Sequence, residues 1–278
     1  MSHSKENIYH YIRHPKGQVA YLKFGEGKET LIALHGFSDR ANFFEALTEA
    51  LAPHYTVYAI DFPFHGATKW EADFFDRQDI MDIFQALLAE TTSRKFSLMA
   101  YSMGGRITQV ILPDIIADLN HLYLIAPDGI DTKWMFNVNK MPTWSIRLIR
   151  KWMNRPASFF RILKWLNQKG FLSRFLHDFA YNHLKTPERR DRLFGTWASV
   201  NQFRPNPEST KELLRTSQLP TDLYFGERDE VIPPRIGVWL SDGLPNVQLH
   251  ILDEGHLLLD QELNDLLCEQ LSRVVRDE

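Results

Sequence analysis

An α/β fold, with a mostly parallel twisted sheet covered by helices and interrupted by an inserted helical cap, is predicted for this chain of 278 residues. Three observations carry the expectation. Short apolar runs alternate with amphipathic segments up to about residue 129 and again after 216. Strand signals vanish in between, and Lys and Arg greatly outnumber Asp and Glu in that same middle stretch, leaving acidic flanks. A discontinuous core domain is therefore expected over 1–129 and 216–278, with a cap over 130–215.

The elements follow in order. NIYHYIRH and QVAYLKFG, separated by PKG, read as a β-hairpin. ETLIALHGF is a nearly continuous apolar run, as in a strand covered on both faces, and SDRANFFEALTEALAP after it has helical spacing. The alternation repeats: YTVYAIDF leads to RQDIMDIFQALLAET, KFSLMAYS to MGGRITQVILPDIIADL, and HLYLIAPDG into the basic segment. Strand followed by helix, several times over, implies parallel strands with right-handed crossovers. The segment 130–215 reads as short helices rich in Trp and Phe, broken at Pro142, Pro156, Gly170 and Pro187. TDLYFGERD, IPPRIGVWLSDGL, VQLHILDEGH and LLLDQELNDLLCEQLSRVV then resume the pattern.

Composition narrows the function. Hydrophobic residues make up 44% and charged residues 24%, and no run approaches the roughly 18 apolar residues of a spanning helix. The first residues, MSHSKENIYHYIRHPKG, lack the apolar core of a secretory signal, and Cys268 is the single cysteine, so a cytoplasmic protein without an intrachain disulfide is expected. There is no H-E-x-x-H, cysteine cluster or calcium-loop spacing, and no phosphate-cradling glycine motif. Neither metal nor nucleotide cofactor is expected. The basic middle segment has no groove-reading module, which argues against a nucleic-acid partner.

The chemistry starts at MAYSMGGR, residues 99–106, a near match to G-x-S-x-G with Ala100 in place of the first glycine. A serine hydroxyl needs a histidine to take its proton and a carboxylate to orient that histidine. In a parallel sheet, residues from distant loops converge when each lies just beyond the carboxyl end of a strand. Ser102 after KFSLMAY, Asp229 after TDLYFGER and His256 after VQLHILDEG all satisfy this. Asp128 in IAPDG also follows a strand, and Glu227 and Glu230 flank Asp229, so three acids compete with Asp229.

The order Ser, Asp, His, together with HGFSD, DFPFHGAT, AYSMGG, FGERDEVIP and DEGH, resembles the α/β-hydrolase superfamily over nearly the whole chain, in its serine-nucleophile, capped subgroup. The resemblance implies that the backbone NH groups of Met103 and Phe37 form an oxyanion hole, and that His35, His65 and Asp61 are scaffold residues. Ala100 is a methyl-sized departure. The activity implied is cleavage of an ester or related acyl bond of a small, largely apolar substrate. The same triad serves carbon–carbon bond hydrolases and a menaquinone-pathway lyase that HGFSD and YSMGGR also resemble, where arginines hold substrate carboxylates; Arg106 is the candidate here. A ligand-binding or signalling protein of negligible turnover is the alternative from another class. The basic, aromatic cap reads first as a lid, and otherwise as the lining of an apolar pocket or as a contact with anionic membrane.

Overall fold

In the computed structural model the described residues are 8–91, 93–130 and 184–277. The strands are β1 (Tyr9–His14), β2 (Gly17–Phe24), β3 (Glu29–Leu34), β4 (Tyr55–Ile60), β5 (Lys69–Trp70), β6 (Phe96–Tyr101), β7 (Leu119–Ile125), β8 (Thr221–Gly226) and β9 (Val247–Leu252). They form one sheet in the order β1-β2-β4-β3-β6-β7-β8-β9, with β5 beside β2. The hairpin β1–β2 and the β2–β4 and β2–β5 pairs are antiparallel, and every pair from β4 to β9 is parallel.

Burial explains why the runs look as they do. All six residues of β6, and all but the first of β3, are buried, as helices on both faces require, whereas the edge strand β1 buries only Ile12. The helices are α1 (Thr48–Leu51), α2 (Arg77–Leu88), α3 (Met103–Ile115), α4 (Pro187–Val200), α5 (Pro207–Ser217), α6 (Arg235–Ser241) and α7 (Gln261–Asp277). Their starts are written locally. Asp76 and Asp79 form a reciprocal capping box on α2, and Thr186 and Asn206 cap α4 and α5, each followed by proline in the first turn. Such caps contribute about 1 kcal/mol each.

Three expectations change. Residues 41–47 wind as a 3₁₀ helix before the four-residue α1, where a single α-helix is expected. β5 is a two-residue strand with no apolar run to announce it. The end of the segment expected to form the cap lies on the core: α5 places Leu214 in the core cluster, and Lys211 Nζ donates to Trp239 O of α6 at 2.6 Å. Most of the expected cap, residues 131–183, lies outside the described residues.

The sheet also sets the elbow. Gly104 and Gly105 open α3 where it passes closest to the strands. A Cβ on Gly104 would lie 2.4 Å from Leu34 O of β3, and one on Gly105 2.5 Å from Cβ of Pro127. Ala100 sits one layer lower, fully buried in β6 opposite Leu34 and Leu124, where a methyl group fits.

Candidate active site

Ser102 occupies the turn between β6 and α3 with φ 49° and ψ −110°, a left-handed conformation costly for a residue with a Cβ. Strain of this kind costs on the order of 1–3 kcal/mol and persists where surrounding bonds over-determine it. They do so here. Ser102 N donates to Ile125 O at 2.9 Å, and Ser102 O accepts from the amides of Gly105, Arg106 and Asp128. The hydroxyl is thereby held at the N-terminus of α3, off the end of β6.

His256 and Asp229 arrive from β9 and β8. Ser102 Oγ is 3.1 Å from His256 Nε2, and His256 Nδ1 donates to Asp229 Oδ2 at 2.8 Å. The other carboxylate oxygen, Oδ1, accepts from the amides of Val231 at 2.7 Å and Ile232 at 2.8 Å. Asp229 is buried while its neighbours Glu227 and Glu230 are exposed. With both oxygens satisfied, the carboxylate fixes the tautomer in which Nε2 accepts the serine proton. This is the arrangement of a Ser-His-Asp catalytic triad. Tyr101 steadies it, its hydroxyl donating to His256 O at 2.9 Å and its ring lying 5.5 Å from the imidazole. Burial, reinforced by the charges of Asp39 and Asp229, pushes the Tyr101 phenol well above its usual range.

The other sequence candidates separate cleanly. Asp128 and Arg106 bind each other: Arg106 Nε donates to Asp128 Oδ2 at 2.7 Å and Nη2 to Oδ1 at 3.0 Å, while Nη1 donates to Phe203 O at 3.3 Å. A buried guanidinium in a bidentate pair holds α3 to the loop after β7. His35 Nδ1 donates to Gly36 O at 2.6 Å and its Nε2 accepts from Phe62 N at 3.0 Å. His65 does the same with Pro63 O at 3.0 Å and Ser38 N at 3.2 Å. Burial lowers both, His35 to about 4, so both are neutral scaffold rings. Asp61 accepts from Ala41 N at 2.6 Å and Ala67 N at 2.7 Å, tying the loops after β3 and β4 together.

Met103 is buried in the first turn of α3, next to Ser102, and Phe37 follows Gly36 in the loop after β3 with its ring 6.3 Å from that of His65. Two residues escaped the sequence reading. Asp39, in the same loop, is pushed up to about 6 by burial, against the charges of His256 and Arg192. Arg192 of α4 is the second, its charge felt at His35, Asp39 and His65. The acid in HGFSD was the available signal for Asp39; nothing in the sequence distinguishes Arg192 from the arginines around it. Among the described residues no three or more His, Cys, Asp or Glu are grouped to hold a metal ion, and no helix is long and apolar enough to cross a membrane.

Comparison with known proteins agrees with this geometry. A pimeloyl-[acyl-carrier protein] methyl ester esterase of Chromobacterium violaceum is 25% identical over 243 residues, covering 81% of this chain and 85% of that protein. A 2-hydroxy-6-oxononadienedioate/2-hydroxy-6-oxononatrienedioate hydrolase of Paraburkholderia phymatum is 26% identical over 250 residues, covering 86% and 84%. A thermophilic esterase from Thermogutta terrifontis shares the fold with a TM-score of 0.67 at 19% identity, over 96% of this chain and 99% of that one. Residues 31–267 match the family model described as the alpha/beta hydrolase family. The elbow, the triad and this match lead to one conclusion: the chain belongs to the alpha/beta hydrolase family.

Proposed function

We propose that this protein is a serine esterase of the carboxylesterase type that cleaves an ester of a small, largely apolar molecule through an acyl-enzyme. One observation carries the reading: the unbroken chain from Ser102 Oγ through His256 to an Asp229 carboxylate whose second oxygen is satisfied by two amides. In the first half-reaction Ser102 Oγ attacks the carbonyl carbon as its proton passes to His256 Nε2, and Asp229 stabilises the imidazolium. The oxyanion is held by the backbone NH groups of Met103 and Phe37. Met103 suits the role because amides in the first turn of a helix have no acceptor within it, and Phe37 because its loop is fixed by Asp61 and His65. Each such donor is worth on the order of a hundredfold in rate. The imidazolium then protonates the leaving alcohol, and water, activated by the same histidine, releases the acid.

Labelling with a fluorophosphonate probe and hydrolysis of short p-nitrophenyl esters test this. Wild type should react with both and Ser102→Ala with neither; a folded wild type inert to both removes the reading in favour of a ligand-binding role. Cleavage of a carbon–carbon bond by the same triad is the second reading, favoured by the likeness to the oxononadienedioate hydrolase. For the lyase that HGFSD and YSMGGR also resemble, Arg106 would have to leave Asp128 to hold a substrate carboxylate. A cap drawn from the part of 130–215 ahead of α5 that closes on the site or, alternatively, contacts anionic membrane, and a cytoplasmic location complete the proposal. The first two concern mainly residues 131–183, outside the described residues, and cosedimentation with anionic vesicles tests the membrane contact.

A further inference from the structure

At the end of the sheet away from Ser102, a cavity of about 250 Å³ opens between the amino ends of the strands and α7. Glu29, Tyr55, His121, Tyr123 and Asp222 line it from the sheet, and Gln270 from α7. Glu29 pairs with Tyr55, Leu31 with Ser97, Met99 with Tyr123, and Tyr123 with Asp222, so strand alternation sets all of these side chains on one face. Ser97 stands five positions before Ser102. At ~3.3 Å per residue, that separates the cavity from the nucleophile by roughly 15 Å.

The polar groups of this cavity are only partly satisfied. Tyr55 and Tyr123, 5% and 3% exposed, join hydroxyl to hydroxyl at 2.9 Å. Burial pushes both phenols above their usual range, so both keep their protons at neutral pH. One hydrogen bond uses one proton, and the other proton has no acceptor among the described residues; Ser97 Oγ is buried without a hydrogen-bond partner and does not take it. Burial alone would raise the Asp222 carboxyl, yet hydrogen bonds from His121 and His250 hold it at about 2, so it accepts and each Nε2 donates. His250 is then complete, because its Nδ1 accepts from Gln270 Nε2 at 3.3 Å, and Gln270 Oε1 accepts from Tyr224 OH at 2.7 Å. His121 differs: in the neutral ring its Nδ1 is an acceptor with no donor among the described residues.

Each of these groups calls for a different partner. The phenol proton needs an oxygen acceptor, His121 Nδ1 needs a donor, and the Asp222 and Glu29 carboxylates favour positive charge. None of the described lining residues is Lys or Arg, so a carboxylate or phosphate would meet two like charges unopposed. The Tyr55 and Tyr123 rings meet edge to face, centroids 6.5 Å apart at 83°, and aromatic faces attract cations. A plain alkylamine would leave the phenol proton unmatched, and a neutral diol would leave the carboxylates unopposed. The geometry points to a binding site for a small organic ammonium ion that carries a hydroxyl close to its nitrogen, as in an amino alcohol. The ammonium faces Asp222 and Glu29, while the hydroxyl oxygen accepts from the free phenol and its O–H donates to His121 Nδ1. The site is independent of the esterase reading, because it is detected by binding and not by turnover.

Calorimetry on the full chain, just above neutral pH in amine-free phosphate buffer, compares 2-aminoethanol with propylamine, ethane-1,2-diol and glycolate, each of which alters one group. The amino alcohol should bind about tenfold more tightly than propylamine or the diol, the worth of one net hydrogen bond, and glycolate should not bind. The preference over propylamine should vanish in Tyr55→Phe/Tyr123→Phe, which removes both hydroxyls together and so leaves neither unpaired; urea denaturation checks that the fold is kept. The preference over the diol should shrink in Asp222→Asn and also in Glu29→Gln, a change at the exposed rim that spares the core. Absence of heat with either amine, equal affinities for 2-aminoethanol and propylamine, or an undiminished preference in the double tyrosine variant overturns the proposal. So does tighter binding of calcium chloride, or of glycerophosphoethanolamine, whose phosphate should weaken it and whose success would assign the site to a lipid headgroup. Ser102→Ala should bind the amino alcohol as wild type does, so this result stands apart from the hydrolase assays.

Discussion

Replacing Asp229 by asparagine separates the orientation of His256 from the shape of the site. Asp229 Oδ1 accepts from Val231 N and Ile232 N at 2.7 and 2.8 Å, so Oδ2 is the oxygen that faces His256 Nδ1 at 2.8 Å. An asparagine must turn its carbonyl oxygen to the two amides, because its NH₂ cannot accept from them. The NH₂ then meets Nδ1, which becomes the acceptor, and the imidazole proton moves to Nε2, 3.1 Å from Ser102 Oγ. A histidine in that tautomer donates to the nucleophile and cannot take its proton. Loss of the correct tautomer costs about ten-thousandfold in kcat, or about 5.5 kcal/mol of barrier. The side chain keeps its volume and its hydrogen-bonding positions, so the unfolding free energy should change by less than about 2 kcal/mol. The assay is p-nitrophenyl butyrate hydrolysis alongside urea denaturation. A folded Asp229→Asn protein retaining more than a tenth of wild-type kcat would refute the assigned hydrogen-bond pattern.

Other outcomes follow from the same coordinates. Gly104→Ala puts a methyl carbon 2.4 Å from a main-chain oxygen of β3, which must move, and denaturation should show a loss of about 2 kcal/mol or more. Arg106→Met strips the partner from the half-exposed Asp128 and should cost about 2 kcal/mol, while leaving the ratio of kcat/KM for half-esters and neutral esters unchanged; an altered ratio would return Arg106 to the substrate site. Burial alone would raise the Asp222 carboxyl, but hydrogen bonds from His121 Nε2 at 2.7 Å and His250 Nε2 at 2.6 Å hold it at about 2, below its unfolded value of 3.8. Its stabilisation is therefore complete above about pH 4 and lost as the pH falls toward 2, so Asp222→Asn should flatten that part of the stability curve measured by urea titration.

How much could be read in advance depends on the range over which each feature is decided. β3, β4 and β6 are covered on both faces, so their apolar runs announce them, and the triad is ordered along the chain by the strands that precede its members. Features decided across the fold were silent. Asp128 looked like a rival acid until Arg106, 22 positions earlier, was found beside it. His121 and His250 reach Asp222 on the diagonal, each two positions from its strand partners Tyr123 and Gln248, a meeting visible only once the sheet is assembled. The basic surplus is counted as far as Arg215 and so takes in most of α5, whereas Leu214 commits that helix to the core. β5 forms where the loop after β4 passes β2, pairing Trp70 with Gly17 and Lys69 with Gln18, a contact that two residues of sequence cannot announce.

The seam between β7 and β8 decides where the chain can be rebuilt. Leu122 lies opposite Thr221 and Ile125 opposite Tyr224, so the sheet itself clamps the two ends of the long excursion at a fixed spacing. Doubling the length of a segment whose ends are already clamped costs only about 0.6 kcal/mol. A chimaera that exchanges the chain between Ile130 and Leu184 therefore leaves Ser102, Asp229 and His256 on undisturbed strand ends.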